Sequence, residues 1–511
     1  MPIRAIVAIF AFLVFAPDIS AAPAAPTWPA AEWPRSDPEA QGMSSVELAP
    51  MLERIGSGNQ GIRSVTVVRH GAVVLDARIS PFASGDRHDI HSCTKSVLSA
   101  LVGIAIDRGD LPGLDARVLD FFPGYEIAHL DADKRALTLG HLLTMSAGLK
   151  TEDSYLYNWT GLGRMRASHD WAQYVLDLPM VTAPGTHFEY SNGVSQLIAI
   201  ILQQATGQSA GAYAREHLFE PIGVVDYAWQ GSRPDDSWGF SGLSLHPLDM
   251  ARLGYLYLRG GEWDGVQVIP ADWVENSTSP QISAGTLADS YGYQWWVDDD
   301  VFMMQGYGGQ FVYVLPARDL VVVFTGALPS QRFFTPRSLL SGYVEAAVIA
   351  DHALPANPTA AARLDSLVQV LGSGTRAPLR PAPDMARAVS GRTFEFDENK
   401  LGLRRLILHF TPGSSEAEIE FAVGPVEATL AIGLDGVFRI GELHGQRWAC
   451  RGRWVNDATF VLEQEAPGKV LSRRVTLDFQ GDTLSFEAHD RITDSVDIYN
   501  ARMVVAPPAA K

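Results

Sequence analysis

Residues 88–99 read HDIHSCTKSVLS. Lys95 stands three residues after Ser92, and the chain runs on through Val97, Leu98, Ala100, Leu101, Val102, Ile104, Ala105 and Ile106. Lysine is scarce in this chain, with six against 34 arginines. The apolar run predicts a helix from Ser92 into Asp107, closed by Arg108-Gly109-Asp110. Three residues is nearly one helical turn, so Ser92 and Lys95 share a face. A serine hydroxyl is a poor nucleophile until its proton is taken. A lysine amine can take that proton only when neutral, and apolar surroundings disfavour the ammonium. The competing reading of S-x-x-K is a serine cap with a lysine that snorkels to solvent.

Outward from this segment, SVTVVRHGAVVLDARI (64–79) places two β-rich runs around His70-Gly71, the sign of a hairpin. VFMMQ (301–305), FVYVLP (311–316) and LVVVFTG (320–326) form a second β block with a turn at 317–319. Helical periods broken by Gly and Pro fill 110–260, and 336–351 reads as a packing helix. The two β blocks are expected to share one antiparallel sheet with helices against it.

Two further elements carry chemistry. Phe188-Glu189-Tyr190-Ser191-Asn192 precedes the helical run GVSQLIAIILQQA. Tyr-x-Asn there can aim a phenol, an acid/base group, and an amide into one site. The plain alternative is that Asn192 only caps its helix. Gly306-Tyr307-Gly308-Gly309-Gln310 lies between two strands, where glycines let backbone approach a ligand. An N–H from that turn, with that of Ser92, would make an oxyanion hole. The plain alternative is a glycine-rich bulge.

In order and spacing, these three elements resemble the serine β-lactamase and penicillin-binding-protein family. His141-Leu142-Leu143-Thr144-Met145-Ser146-Ala147-Gly148-Leu149 is similar to its HLLT-x-x-SGL stretch, with Ala147 in place of the serine, and Glu220-Pro221-Ile222-Gly223 also matches. Tyr-x-Asn looks like class C β-lactamases, D-alanyl-D-alanine carboxypeptidases and family VIII esterases. GYGGQ looks most like the 6-aminohexanoate-dimer hydrolase and esterase branch. The resemblance covers roughly residues 40–350. It implies Ser92 as acylated nucleophile, Lys95 as its activating partner, Tyr190 as acid/base and Asn192 as substrate-orienting amide. It implies substrate contact at Tyr307, Gly308 and Gly309, with Tyr307 the choice for the second oxyanion N–H. Many relatives carry Lys-Thr-Gly or His-Thr-Gly at that turn, but no lysine exists here between 151 and 399. That favours esters or amides without an obligatory carboxylate at that spot.

Length, charge and composition frame the rest. A chain of 511 residues suggests two or more cores. It is 47% hydrophobic and 19% charged, as globular proteins are. A net charge of −18 without a basic run argues against a nucleic-acid partner. Arg4, then AIVAIFAFLVFA, Pro17 and the small residues Ser20, Ala21 and Ala22, have the layout of a signal peptide over 1–22. Export to the periplasm or medium is therefore expected, with 23–39 a linker and no membrane span in the mature chain. Residues 40–352 would form the hydrolase domain and the Pro-, Ala- and Arg-rich 353–385 a second linker. Short strand signals at near-regular spacing fill 386–505, the pattern of a barrel or sandwich. The expected fold class is thus α+β: a β-lactamase/transpeptidase-like domain, then an all-β, lipocalin-like barrel or sandwich.

Cys93 and Cys450 read as separate buried thiols, and no zinc set can be built from them. His88 and His91 lack a third spaced ligand, so no metal and no cofactor is expected. Gly207-Gln208-Ser209-Ala210-Gly211 fits G-x-S-x-G but sits between two helical patterns, where a nucleophile elbow needs a strand before it.

The sequence reading is an exported serine hydrolase acting on a small ester, amide or peptide. A D-Ala-D-Ala carboxypeptidase, a D-aminopeptidase, a weak β-lactamase and a silent scaffold on the same fold stand as alternatives.

Overall fold

The computed structural model describes residues 28–29, 32–57, 61–154, 158–285 and 287–504. The leader expected at 1–22 lies outside the described residues. Ile62–Arg69 pairs with Ala72–Arg78 as expected, and His70 and Gly71 both take positive φ, as a two-residue hairpin turn of the primed type demands. On its other edge the first strand pairs with Leu320–Gly326, then Gln310–Leu315, then Val301–Gly306. Three short strands, Trp296–Asp298, Ser290–Tyr291 and Ile282–Ser283, complete one eight-stranded antiparallel sheet.

The sheet is covered on both faces. Every residue of its four inner strands, 62–69, 301–306, 310–315 and 320–326, is buried. That is why 301–304, 311–315 and 320–324 read as continuous apolar runs and not as alternation, whereas 62–69 buries Arg63, Ser64, Thr66 and Arg69 among its apolar residues. Val312 and Val314 face the helix Pro247–Leu258, where Gly254 permits close approach: a Cβ there would meet Val321 and Val312 at 2.7 and 2.8 Å. Phe311 and Tyr313 point the other way, and Phe311 meets Phe333 at 5.1 Å between ring centroids. The helices Cys93–Asp107 and Asn192–Thr206 pack on each other beside the sheet.

Two stretches read as linkers are partly ordered structure. Trp28 and Trp33 pack edge-on against Tyr255, and Val73 N–H donates to Pro34 O at 2.8 Å. The segment before residue 40 is therefore pinned to the hairpin edge. Pro358–Ser373 forms a helix against Ser45–Ser57 and Ala72–Arg78. Its Leu364, Leu367, Val368 and Leu371 have helical spacing, which the Pro- and Ala-rich surroundings obscured.

A second, separate core spans Val389 to Ala501. Nine strands close into a barrel in the order 426–433, 416–423, 403–410, 393–396, 495–503, 483–490, 472–480, 459–465 and 446–454, the last returning to the first. Arg439–Leu443 is a tenth strand hung on 446–454. Of the two expected architectures, barrel and sandwich, the barrel forms. Phe394, Leu406, Leu408, Phe460, Leu477 and Phe479 fill its interior, the inward half of an in–out alternation.

One barrel loop reaches the first domain. Between Glu465 and Ser472, Gly468 O accepts from Asp89 N–H at 2.9 Å. The buried Arg63 guanidinium donates to the carbonyls of Lys469 and Leu471 and pairs with Glu465 at 2.6 Å. Val470 lies over Gly308. Asp86 pairs with Arg447 of the barrel.

Candidate active site

The helix that begins at Cys93 is preceded by His91 in the left-handed region, φ 48°, a strained conformation for a residue with a side chain. Ser92 follows at the N-cap position, yet its hydroxyl makes no cap hydrogen bond. It points instead to Lys95 and Tyr190. Tyr190 Oη donates to Ser92 Oγ at 2.8 Å, and Lys95 Nζ lies 3.1 Å from the same oxygen. The alternative readings of cap and snorkel both fail, since Lys95 is 1% exposed. The cap alternative for Asn192 fails too: Ser191 caps that helix, its Oγ accepting from Val194 N–H at 3.2 Å.

Lys95 Nζ has two other partners, Asn192 Oδ1 at 2.9 Å and the Phe240 carbonyl at 2.8 Å. Both oxygens can only accept. As an ammonium, Lys95 donates to all three neighbours. As a free amine it spends both hydrogens on Asn192 and Phe240, and its lone pair faces Ser92 Oγ. Burial pushes the ammonium down to about 7, against an opposing pull from Asp153 and then Cys93. The amine is thus populated at neutral pH. Burial drives the Tyr190 phenol the other way, well above its ordinary value, so it stays protonated. Trp296 stacks on the Tyr190 ring, and Lys95 Nζ lies 4.9 Å from that ring's centre.

The loop before Tyr190 is held by the HLLT-like stretch: Glu189 N–H donates to Met145 O, and Gly185 N–H to Ser146 O, both at 2.8 Å. The strand Val301–Gly306 brings the glycine turn alongside. Gly306 leaves no room for a side chain, as a Cβ would come within 2.3 Å of Ile90 O and 3.3 Å of Cys93 Sγ. The Tyr307 ring stands edge-on to His91 at 5.2 Å and to Trp159 at 4.7 Å. Gly308 and Gly309 take φ 77° and 93°. Thus Ser92, Lys95, Tyr190 and Asn192 meet at one point, with Tyr307, Gly308 and Gly309 on the adjoining turn.

Other predicted features fall elsewhere. Cys93 and Cys450 are free and buried. Ser209 caps the helix that begins at Ala210, so G-x-S-x-G is an interhelical turn. Three participants carried no motif. Phe240 contributes only a backbone carbonyl. Asp153 contacts Asn192 through a hairpin remote in sequence. The 466–471 loop comes from another domain.

A family model described as Beta-lactamase matches residues 53–334, more than half of the chain. The chain belongs to the Beta-lactamase family. Over 332 residues it is 24% identical to a 6-aminohexanoate-dimer hydrolase of Paenarthrobacter ureafaciens, covering 59% of this chain and 83% of that protein. Over 224 residues it is 25% identical to esterase EstB of Burkholderia gladioli, covering 39% and 56% of the two chains. A solved Bacillus anthracis structure, provisionally assigned as a 6-aminohexanoate-dimer hydrolase, shares the fold, with 20% identity and a TM-score of 0.51 over 63% of this chain and 88% of that one. Residues around Ser92 thus sit in a β-lactamase/transpeptidase-like domain, and the barrel follows it.

Proposed function

We propose that this Beta-lactamase-family chain is a serine hydrolase that cleaves an ester or amide through an acyl-enzyme on Ser92. The observation that carries the reading is the contact of one hydroxyl with two proton-handling groups, Lys95 Nζ at 3.1 Å and Tyr190 Oη at 2.8 Å. Ser92 Oγ bonds to the substrate carbonyl carbon as its proton passes to the Lys95 amine. The oxyanion is held by the Ser92 N–H and an N–H of the 306–309 turn, Tyr307 first among them. The C–O or C–N bond then breaks, and the leaving group takes a proton through Tyr190 from Lys95. Water enters, gives a proton to the same pair and releases the acid. No metal or cofactor is needed to balance these steps. Asn192 orients Lys95, and Gly308 and Gly309 let substrate lie against backbone.

The names of two relatives, a 6-aminohexanoate-dimer hydrolase and an esterase, support an amide or ester substrate. The reading keeps the hydrolase in residues 40–352 and a separate β domain in 386–505, with Pro358–Ser373 added to the former. It also retains export, with cleavage near Ala22; amino-terminal sequencing of the mature protein tests this, and a product still carrying residues 1–22 refutes it.

The central test is intact-mass analysis after a fluorophosphonate, beside turnover of p-nitrophenyl esters. One adduct on Ser92 and measurable hydrolysis are expected. A wild-type protein with neither refutes the enzyme reading, and a Ser92→Ala variant with full activity refutes the nucleophile.

A further inference from the structure

Asp153 touches neither Ser92 nor Lys95 by hydrogen bond, yet it meets their partner. It opens a short hairpin, Asp153–Ser154 paired with Asn158–Trp159. Its Oδ2 accepts from both the backbone N–H and the Nδ2–H of Asn192, each at 3.1 Å. Its Oδ1 accepts from Leu162 N–H at 2.8 Å. The carboxylate is therefore held by three N–H groups from two helices.

A carboxylate can only accept, so Asn192 must turn its NH₂ toward Asp153 and its Oδ1 toward Lys95. Were the amide reversed, its NH₂ would face Lys95 Nζ at 2.9 Å. The free amine would then accept that N–H with its lone pair and lose it for Ser92. We propose that Asp153 is a positioning residue for the catalytic base: it locks the Asn192 amide so that the Lys95 lone pair faces Ser92. This rests on the reading of Lys95 as base.

Asp153 also acts through its charge. Lys95 is faced by Cys93 on its own helix, by His91 just before it, by Tyr190 and Asn192 on the motif loop, and by the Phe240 carbonyl. Beyond them, the neighbouring Glu152 is paired with Arg164. Asp153 is the carboxylate that opposes the effect of burial on Lys95. Trp159, at the other end of the same hairpin, meets Tyr307, so one hairpin links the Tyr-x-Asn loop to the glycine turn.

Two variants of the full chain separate geometry from charge. Asp153→Asn keeps one oxygen to accept from Asn192, gives up the Leu162 N–H hydrogen bond and loses the charge. Its kcat above pH 8 should stay within a few-fold of wild type, while the acid limb of kcat/KM for p-nitrophenyl butyrate moves toward acid by about one pH unit. Asp153→Ala loses both, and its kcat should fall about ten-fold or more with KM little changed. Equal losses in both variants, or an acid limb that stays where wild type has it, would overturn the proposal. Denaturation midpoints of both variants are measured alongside, because a purely structural role lowers these without moving the limb. Failure of the underlying reading shows separately, as a wild-type protein whose Ser92 takes no fluorophosphonate.

Discussion

The proposed acylation of Ser92 carries a pH dependence set by the surroundings of Lys95. With its ammonium pushed down to about 7, about half of the Lys95 side chains are free amines at pH 7. An ordinary lysine at 10.5 would offer about one in 3,000 at that pH. Burial therefore raises the population of competent base by about three orders of magnitude. The sign is set by which form reacts: in the proposed mechanism the neutral amine takes the Ser92 proton, so activity should fall as pH drops below 7. At pH 5 only about 1% of the amine is free, and kcat/KM should be about fifty-fold below its pH 7 value. The assay is kcat/KM for p-nitrophenyl butyrate from pH 5 to 9, read at the nitrophenol isosbestic wavelength. The rate of Ser92 labelling by a fluorophosphonate provides a second readout that needs no turnover. Lys95→Arg should abolish the limb along with the activity, because a guanidinium stays charged throughout. A profile flat from pH 5 to 9, or a limb that persists in Lys95→Arg, would refute the assignment of Lys95 as base.

Three other outcomes are expected. Tyr190→Phe removes the 2.8 Å hydrogen bond to Ser92 Oγ and should lower kcat about a hundred-fold while the denaturation midpoint moves little. Gly308→Ala adds a Cβ 2.4 Å from Val470 Cγ1 at φ 77° and should cost about 1–3 kcal/mol in chemical denaturation. Pairing it with Val470→Ala should recover only the steric part, since the backbone strain remains. Arg63→Met removes the guanidinium that holds the carbonyls of Lys469 and Leu471, so limited proteolysis should become faster within 466–471, and unchanged cleavage there would count against that anchor.

Much of the fold is legible because its signals are local. The turn at His70-Gly71 and the apolar strands near 312 and 322 announce themselves over a few residues. Continuous burial on both faces of the sheet is what made those strands readable as unbroken apolar runs. The helix Pro358–Ser373 was hidden because its four apolar positions sit in a Pro- and Ala-rich stretch, and their partners lie far back in the chain, at Ser45–Ser57 and Ala72–Arg78. The choice of barrel over sandwich rested on closure between 446–454 and 426–433, a pairing no single strand encodes.

At the site, the sequence by itself singled out the candidate groups: Ser92 and Lys95 by one helical turn, and Tyr190, Asn192 and the turn around Tyr307 by their order and their resemblance to a known family. Each of these motifs spans only a few residues, so each shows in the sequence, and their order along the chain carries the resemblance. Only the tertiary structure decided which of these groups touch and what surrounds them. The Phe240 carbonyl and the Asn192 amide, from segments distant in the chain, take the two hydrogens of the Lys95 amine and leave its lone pair to Ser92. Asp153 turns that amide, and a barrel loop closes on Asp89 and Gly308. A buried amine owes its neutral form at pH 7 to everything that excludes water from it, and those neighbours come together only when the chain has folded.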